Sequence, residues 1–159
     1  MAVSLLQQAC KTPATNTAAT NTSTATKETS VPQASTGISS LDQFLSDFES
    51  MVLQHNTSTI LNFLDKDYKK VQYEQQMKSN TDSFLNRFFS NNEIKGNAYT
   101  IVFKNITKIT RIESKLVSGY YTVTYKVSTK DATVTLPLTV FTRLEGTEVK
   151  YALYGPVGS

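Results

Sequence analysis

The sequence predicts an α+β fold in which three N-terminal helices pack in the concave face of a curved, mainly antiparallel sheet of four to six strands. Three observations carry that expectation. Apolar residues between Ile38 and Phe89 recur at three- and four-residue spacings, the signature of helices with one buried stripe. Those after Gly96 alternate with polar residues, as half-buried strands require. Short turn-forming stretches separate the alternating runs, so successive strands join as hairpins. A sheet with one oily face must be covered, and the only helices available to cover it come before it in the chain.

The first helix is predicted over SSLDQFLSDFESMVLQH, where Leu41, Phe44, Leu45, Phe48, Met51 and Val52 form the stripe and His55 falls in the last turn. Ser40, with Gln43 three residues on, fits a capping box. TSTILNFLDKDY gives a second, shorter helix with Ile60, Leu61, Phe63 and Leu64 inward, and VQY after it reads as a short strand or an extended link. The third helix is expected over QMKSNTDSFLNRFFS, with Met77, Phe84, Leu85, Phe88 and Phe89 as its heavy side. NAYTIVFKN alternates as a strand, and the change of phase through Ile106, Ile109 and Ile112 predicts a β-bulge and a bend. SGYYTVTYKVS, ATVTLPLTVFTRL and EVKYALYG supply three more strands, with Val123, Tyr125, Leu136, Leu138 and Leu153 among the inward positions. Pro137 lacks a backbone donor and belongs at a sheet edge or a bulge.

Composition sets the domain plan. From Lys11 to Gly37 Val31 is the only large apolar residue, so that stretch cannot bury enough surface to offset the entropy of ordering. Residues 1–37 are therefore expected to form a Thr/Ala/Ser-rich tether or targeting remnant, and residues 38–159 the folded domain. The formal charge of +3 comes from interleaved basic and acidic residues. Nucleic acid is not implied, because displacing counterions from phosphates needs clustered positive charge. One cysteine and one histidine exclude an internal disulfide and cannot supply the ligands of a zinc site. No phosphate-binding glycine loop and no G-x-S-x-G nucleophile setting is present. No cofactor or metal is expected.

The order of elements resembles the cone-shaped superfamily that includes nuclear transport factor two, the SnoaL-like polyketide cyclases, scytalone dehydratase and ketosteroid isomerase. The succession SLDQFLSDFESMVLQHNTSTILNFLDKDY, then SNTDSFLNRFF, then the strand meander carries the resemblance, from Ile38 to about Tyr154. It implies a pocket between sheet and helices, which in the superfamily's enzymes holds acidic, histidine or tyrosine side chains. The inward positions of the later strands here are aliphatic or tyrosine. Asp67 and His55 are the candidates for a catalytic base, against a solvated helix end for DKDYKK and a helix-terminal partner for the free carbonyls in the case of His55. Tyr121, Tyr125 and Tyr151 are candidates to line a pocket mouth and contact a ligand, against a purely structural role in the core.

Two function classes follow. The first is a non-catalytic binding or protein-interaction module on a flexible tether, holding a small apolar ligand or pairing, as a homodimer or with another protein subunit, through its outer sheet face. The resemblance also admits a SnoaL-like isomerase, cyclase or dehydratase acting on a small apolar carbonyl substrate. At the N-terminus, SLLQQAC followed by a threonine-rich spacer resembles the end of a bacterial lipoprotein signal, with Cys10 the lipidated residue and the cell envelope the location. The short apolar run and the absence of a basic region ahead of it leave a transit peptide or a cytoplasmic tail as alternatives.

Overall fold

A computed structural model describes residues 33–156, so the expectations for Cys10 and for most of the tether lie outside the described residues. The described chain makes tertiary contacts from its first residue. The Gln33 side-chain oxygen accepts from the Arg111 amide (2.7 Å), and the Ala34 amide donates to the Arg111 carbonyl (3.1 Å), so the incoming strap lies against the sheet ahead of the expected start at Ile38.

Helix α1 (Ser39–Leu53) buries Leu41, Leu45, Phe48 and Val52 of the stripe its spacing predicts, with Phe44 and Met51 half-buried against them. Its start differs from the capping box. The Ser40 hydroxyl bonds to that of Tyr151 (2.8 Å), and Gln43 donates to Asp47 within the helix (2.8 Å). Asp42 instead accepts from the Thr36 amide (2.9 Å) and the Ser35 hydroxyl (2.6 Å), tying the strap to the first turn. Helix α2 (Thr57–Ile60) is capped by Asn56 and tightens into a 3-10 turn at Leu61–Phe63. Helix α3 (Lys66–Tyr68) is capped by Asp65 and widens into a π-helical run, Lys69–Gln76, where VQY was expected to be extended. Helix α4 (Thr81–Phe89) begins later than its apolar pattern suggests. Lys78 and Ser79 adopt left-handed φ angles of 50° and 57°, which a right-handed helix cannot pass through, and Asn80 restarts it as N-cap.

Strands β1 (Ile94–Lys95) and β2 (Ala98–Tyr99) make a small ribbon. The rest of NAYTIVFKN is not strand. The Ile101 amide donates to the Ser90 hydroxyl (2.8 Å) and the Phe103 amide to the Asn86 side chain (2.8 Å), so the end of α4 satisfies the donors that a neighbouring strand would otherwise take. Ile101 and Phe103 are buried as their alternation implies, but by a loop ending in a 3-10 turn at Phe103–Asn105, after which Ile106 is buried as well.

The main sheet is antiparallel in the order β3 (Lys108–Val117), β4 (Tyr120–Ser128), β5 (Thr133–Glu145), β6 (Glu148–Tyr154). Ser118 and Gly119, both at positive φ, turn β3 into β4. The expected bulge exists: register shifts between Arg111 and Glu113, with Ile112 unpaired and exposed, while Arg111 keeps the inward face that it shares with Ile109 by regular alternation. Pro137 pairs with Thr124 on β4, while β6 joins β5 only from Thr139 onward, so the missing donor faces an unpaired side. The helices cover the inner face. Phe48 lies 6.0 Å from Tyr125 and 6.3 Å from Phe89 between ring centroids, and Phe89 lies 5.3 Å from Phe103, so aromatic rings fill the space between α1, α4 and the sheet.

Candidate functional site

Asp65 organises the open end of the sheet. The backbone at Leu64 and Asp65 runs beside β6, with the Asp65 amide donating to the Leu153 carbonyl (2.8 Å). One carboxylate oxygen of Asp65 then accepts the amides of Asp67 (2.9 Å) and Tyr68 (3.3 Å), which starts α3. The other accepts from the Arg143 guanidinium at 3.1 Å. A buried carboxylate with three donors needs no further partner, so its role is to hold Arg143 in place.

Arg143 lines two concavities. On one side is a cleft of about 250 Å³, bordered by Asn62, Asp65, Lys66, Lys69, Glu145, Lys150 and Tyr151, with Leu64 and Ala152 as apolar patches. On the other is a shallower groove of about 500 Å³ beside Asp67, Tyr120, Phe141 and Tyr154. The three rings of that groove stack edge to face, with Phe141 5.1 Å from Tyr120 and 5.5 Å from Tyr154. Lys150 is paired with Glu148 at 2.6 Å, which holds the Lys150 ammonium above its ordinary pKa and the Glu148 carboxyl below its own. Lys66 and Lys69 make no ion pair among the described residues.

The sequence-predicted residues fall in separate places. Tyr151 borders the cleft, its hydroxyl on Ser40 and its ring 5.6 Å from Phe44. Asp67 is 85% exposed and lies 3.8 Å from Arg143, in the groove. Tyr121 is half-buried, paired with Leu116 and Val140 in the sheet. Tyr125 lies at no pocket mouth: it is fully buried under α1, and its hydroxyl lies near Glu49 and Arg111 without hydrogen-bonding geometry to either. Burial, and secondarily the Glu49 charge, push its phenol well above the ordinary tyrosine range. His55 takes the left-handed position after α1 (φ 54°), where its Nε2 bonds to the Ile106 carbonyl (2.9 Å). A carbonyl only accepts, so Nε2 carries the proton, and the ring edge rests on Phe103.

Sequence reasoning missed a buried polar network beside Tyr125. Arg111 donates to Glu49 from Nε (2.9 Å) and to Asp42 from a terminal nitrogen (2.6 Å), and Gln33 donates to the second Glu49 oxygen (2.8 Å). Burial works against the Asp42 anion, but hydrogen bonds from Ser35 and Thr36 and the Arg111 charge outweigh it and lower its pKa. Burial likewise disfavours the Arg111 cation, and Glu49 more than restores it. The signal available was Arg111 itself, the one cation two residues from the inward Ile109. Among the described residues no cluster of three or more His, Cys, Asp or Glu is placed to hold a metal, and no helix is long and apolar enough to cross a membrane. No protein-family model, curated protein or solved structure matches this chain.

Proposed function

We propose that the chain is a non-catalytic binding module on an N-terminal tether, and that its folded part takes a small ligand with an apolar body in the cleft beside Tyr151. The observation that supports this reading most is the filled interior. Where a cone-shaped enzyme would keep a hollow with a base, Phe48, Phe89, Phe103 and Tyr125 pack ring against ring, each at most 1% exposed. The ionisable groups under the sheet, Arg111 and Glu49, neutralise each other. His55 has its Nε2 proton committed to a backbone carbonyl, and Asp67 is solvated. The cleft offers Leu64, Ala152 and the Tyr151 ring to an apolar body, with Lys66 and Lys69 at the rim for an acidic end.

The test is an amide NMR titration of the full chain with benzoate and with cyclohexanecarboxylate. Shifts should gather at Leu64, Tyr151 and Ala152, and the affinity should drop at least about fivefold in Lys66→Gln/Lys69→Gln, since two ammonium contacts are lost. The reading fails if neither probe perturbs the cleft. It fails equally if the protein catalyses deuterium exchange into an enolisable ketone and Asp67→Asn or His55→Gln abolishes it.

A further inference from the structure

The far side of β3 has a free stretch with an unusual sequence. At Arg111 the edge is occupied, because both its amide and its carbonyl are bonded to the strap at Gln33 and Ala34. Beyond it, among the described residues, no strand pairs with β3 on that side. From Glu113 to Val117 the strand keeps regular register with β4, so its outer edge is straight and available. Edge strands are usually protected from pairing by charges or prolines. Here the protection is incomplete: Ile112 is 51% exposed, Leu116 62% and Val117 44%.

With the bulge residue Ile112 at its head, the free stretch reads Ile112-Glu113-Ser114-Lys115-Leu116: apolar, acidic, small, basic, apolar. Reversed, it has the same pattern with the charges exchanged. We propose that this edge pairs with a second copy of the chain, antiparallel about a twofold axis through Ser114, joining the two four-stranded sheets into one. In that register Glu113 of each copy lies opposite Lys115 of the other, and Ile112 opposite Leu116, each pair occurring twice. A parallel in-register pairing would set Glu113 beside Glu113 and Lys115 beside Lys115, which repel. Within one chain Lys115 and Glu113 are already 3.1 Å apart and half-exposed, so the second copy extends that pair into a four-charge row. A protective edge of one sign would repel every second copy. This one discriminates between registers instead.

Sedimentation of the full chain over roughly 1–200 μM, a range suited to a small interface, should show a monomer–dimer equilibrium. Glu113→Lys and Lys115→Glu should each weaken dimerisation roughly tenfold or more, because each converts two attractive cross-strand pairs into two repulsive ones. Mixing the two single variants should restore association, since the heterodimer regains opposite charges at both positions, and the double variant Glu113→Lys/Lys115→Glu should dimerise like the parent. Unchanged circular dichroism and melting of each variant separates lost pairing from lost folding. A parent chain that stays monomeric overturns the proposal, as does a dimer indifferent to both single changes or a mixture of the two that fails to associate.

Discussion

Replacing Arg111 by methionine tests what the buried network contributes. Methionine keeps most of the aliphatic length, so little volume is lost. The Glu49 carboxylate, with 6% of its side chain exposed, is left with the Gln33 amide alone. Removing one partner of a buried ion pair typically destabilises by about 3–5 kcal/mol, because the remaining charge is uncompensated. Gln33 and the backbone bonds of the strap persist, which places the expected loss at the lower end, about 3 kcal/mol. For a folded part of this size that is a fall of roughly 12 °C in Tm. Asp42, about a quarter exposed and bonded to Ser35 and Thr36, should suffer less. The informative companion is Arg111→Met/Glu49→Leu, in which neither charge remains. Apolar replacement of a whole buried pair is often neutral or stabilising, so the double variant should recover most of what the single one loses. Urea unfolding followed by circular dichroism measures both. A single-variant loss below about 1 kcal/mol, or a double variant weaker than the single one, would refute the assignment of Glu49 as a charge held by Arg111.

Two further outcomes follow from the core. A Cβ at Gly155 would overlap the Tyr68 hydroxyl and the Phe88 ring, so Gly155→Ala should destabilise by about 1–3 kcal/mol in a thermal melt, and an unchanged Tm would contradict that close approach. Tyr125→Phe removes a buried hydroxyl without a partner and should be neutral or stabilising by up to about 1 kcal/mol, whereas a clear loss of stability in urea unfolding would point to a bond the hydroxyl makes. The same change has a pH signature: the folded-state pKa of Tyr125 is raised, so its contribution is present below the ordinary tyrosine pKa of 10.0 and disappears as pH climbs above it. Tyr125→Phe should therefore flatten the alkaline decline in Tm above pH 10.0, and an identical decline in both proteins would refute the shift.

Periodicity made the burial pattern legible where one element meets one face. Most of the α1 stripe, of the inward rows of β4 and β5 and of the heavy side of α4 buries as the spacing requires, with Phe44, Met51 and Tyr121 half-buried at the margins. It failed where side chains replaced a backbone partner. Ile101 and Phe103 alternate as strand residues do, yet Ser90 and Asn86 accept their amides, and no propensity in the segment itself announces an acceptor supplied by α4. The same limit applies at Lys78 and Ser79, whose left-handed turn interrupts an apolar pattern that reads as one continuous helix.

The candidate site was less legible because it is assembled across long sequence separations by charge. Asp65 reads from the sequence as part of the solvated helix end DKDYKK, but its buried role depends on Arg143, 78 residues away on β5. Arg111 was overlooked for the opposite reason. Ile106, Ile109 and Ile112 read as an apolar row spaced by three, whereas a strand alternates by two, so the inward residue after Ile109 is Arg111 and Ile112 is exposed. The bulge acts only beyond Arg111: Glu113 pairs with Thr124 and Ser114 with the buried Val123, so the inward phase passes to Ser114. Alternation from Ile109 therefore sets Arg111 under the sheet against Glu49 and Asp42, while its backbone groups hold the strap at Gln33 and Ala34. Strap attachment thus lies ahead of the bulge, so deleting Ile112 should make the β3–β4 register continuous while Arg111 keeps the strap, and a loss of Ala34 amide protection in hydrogen exchange would refute that order.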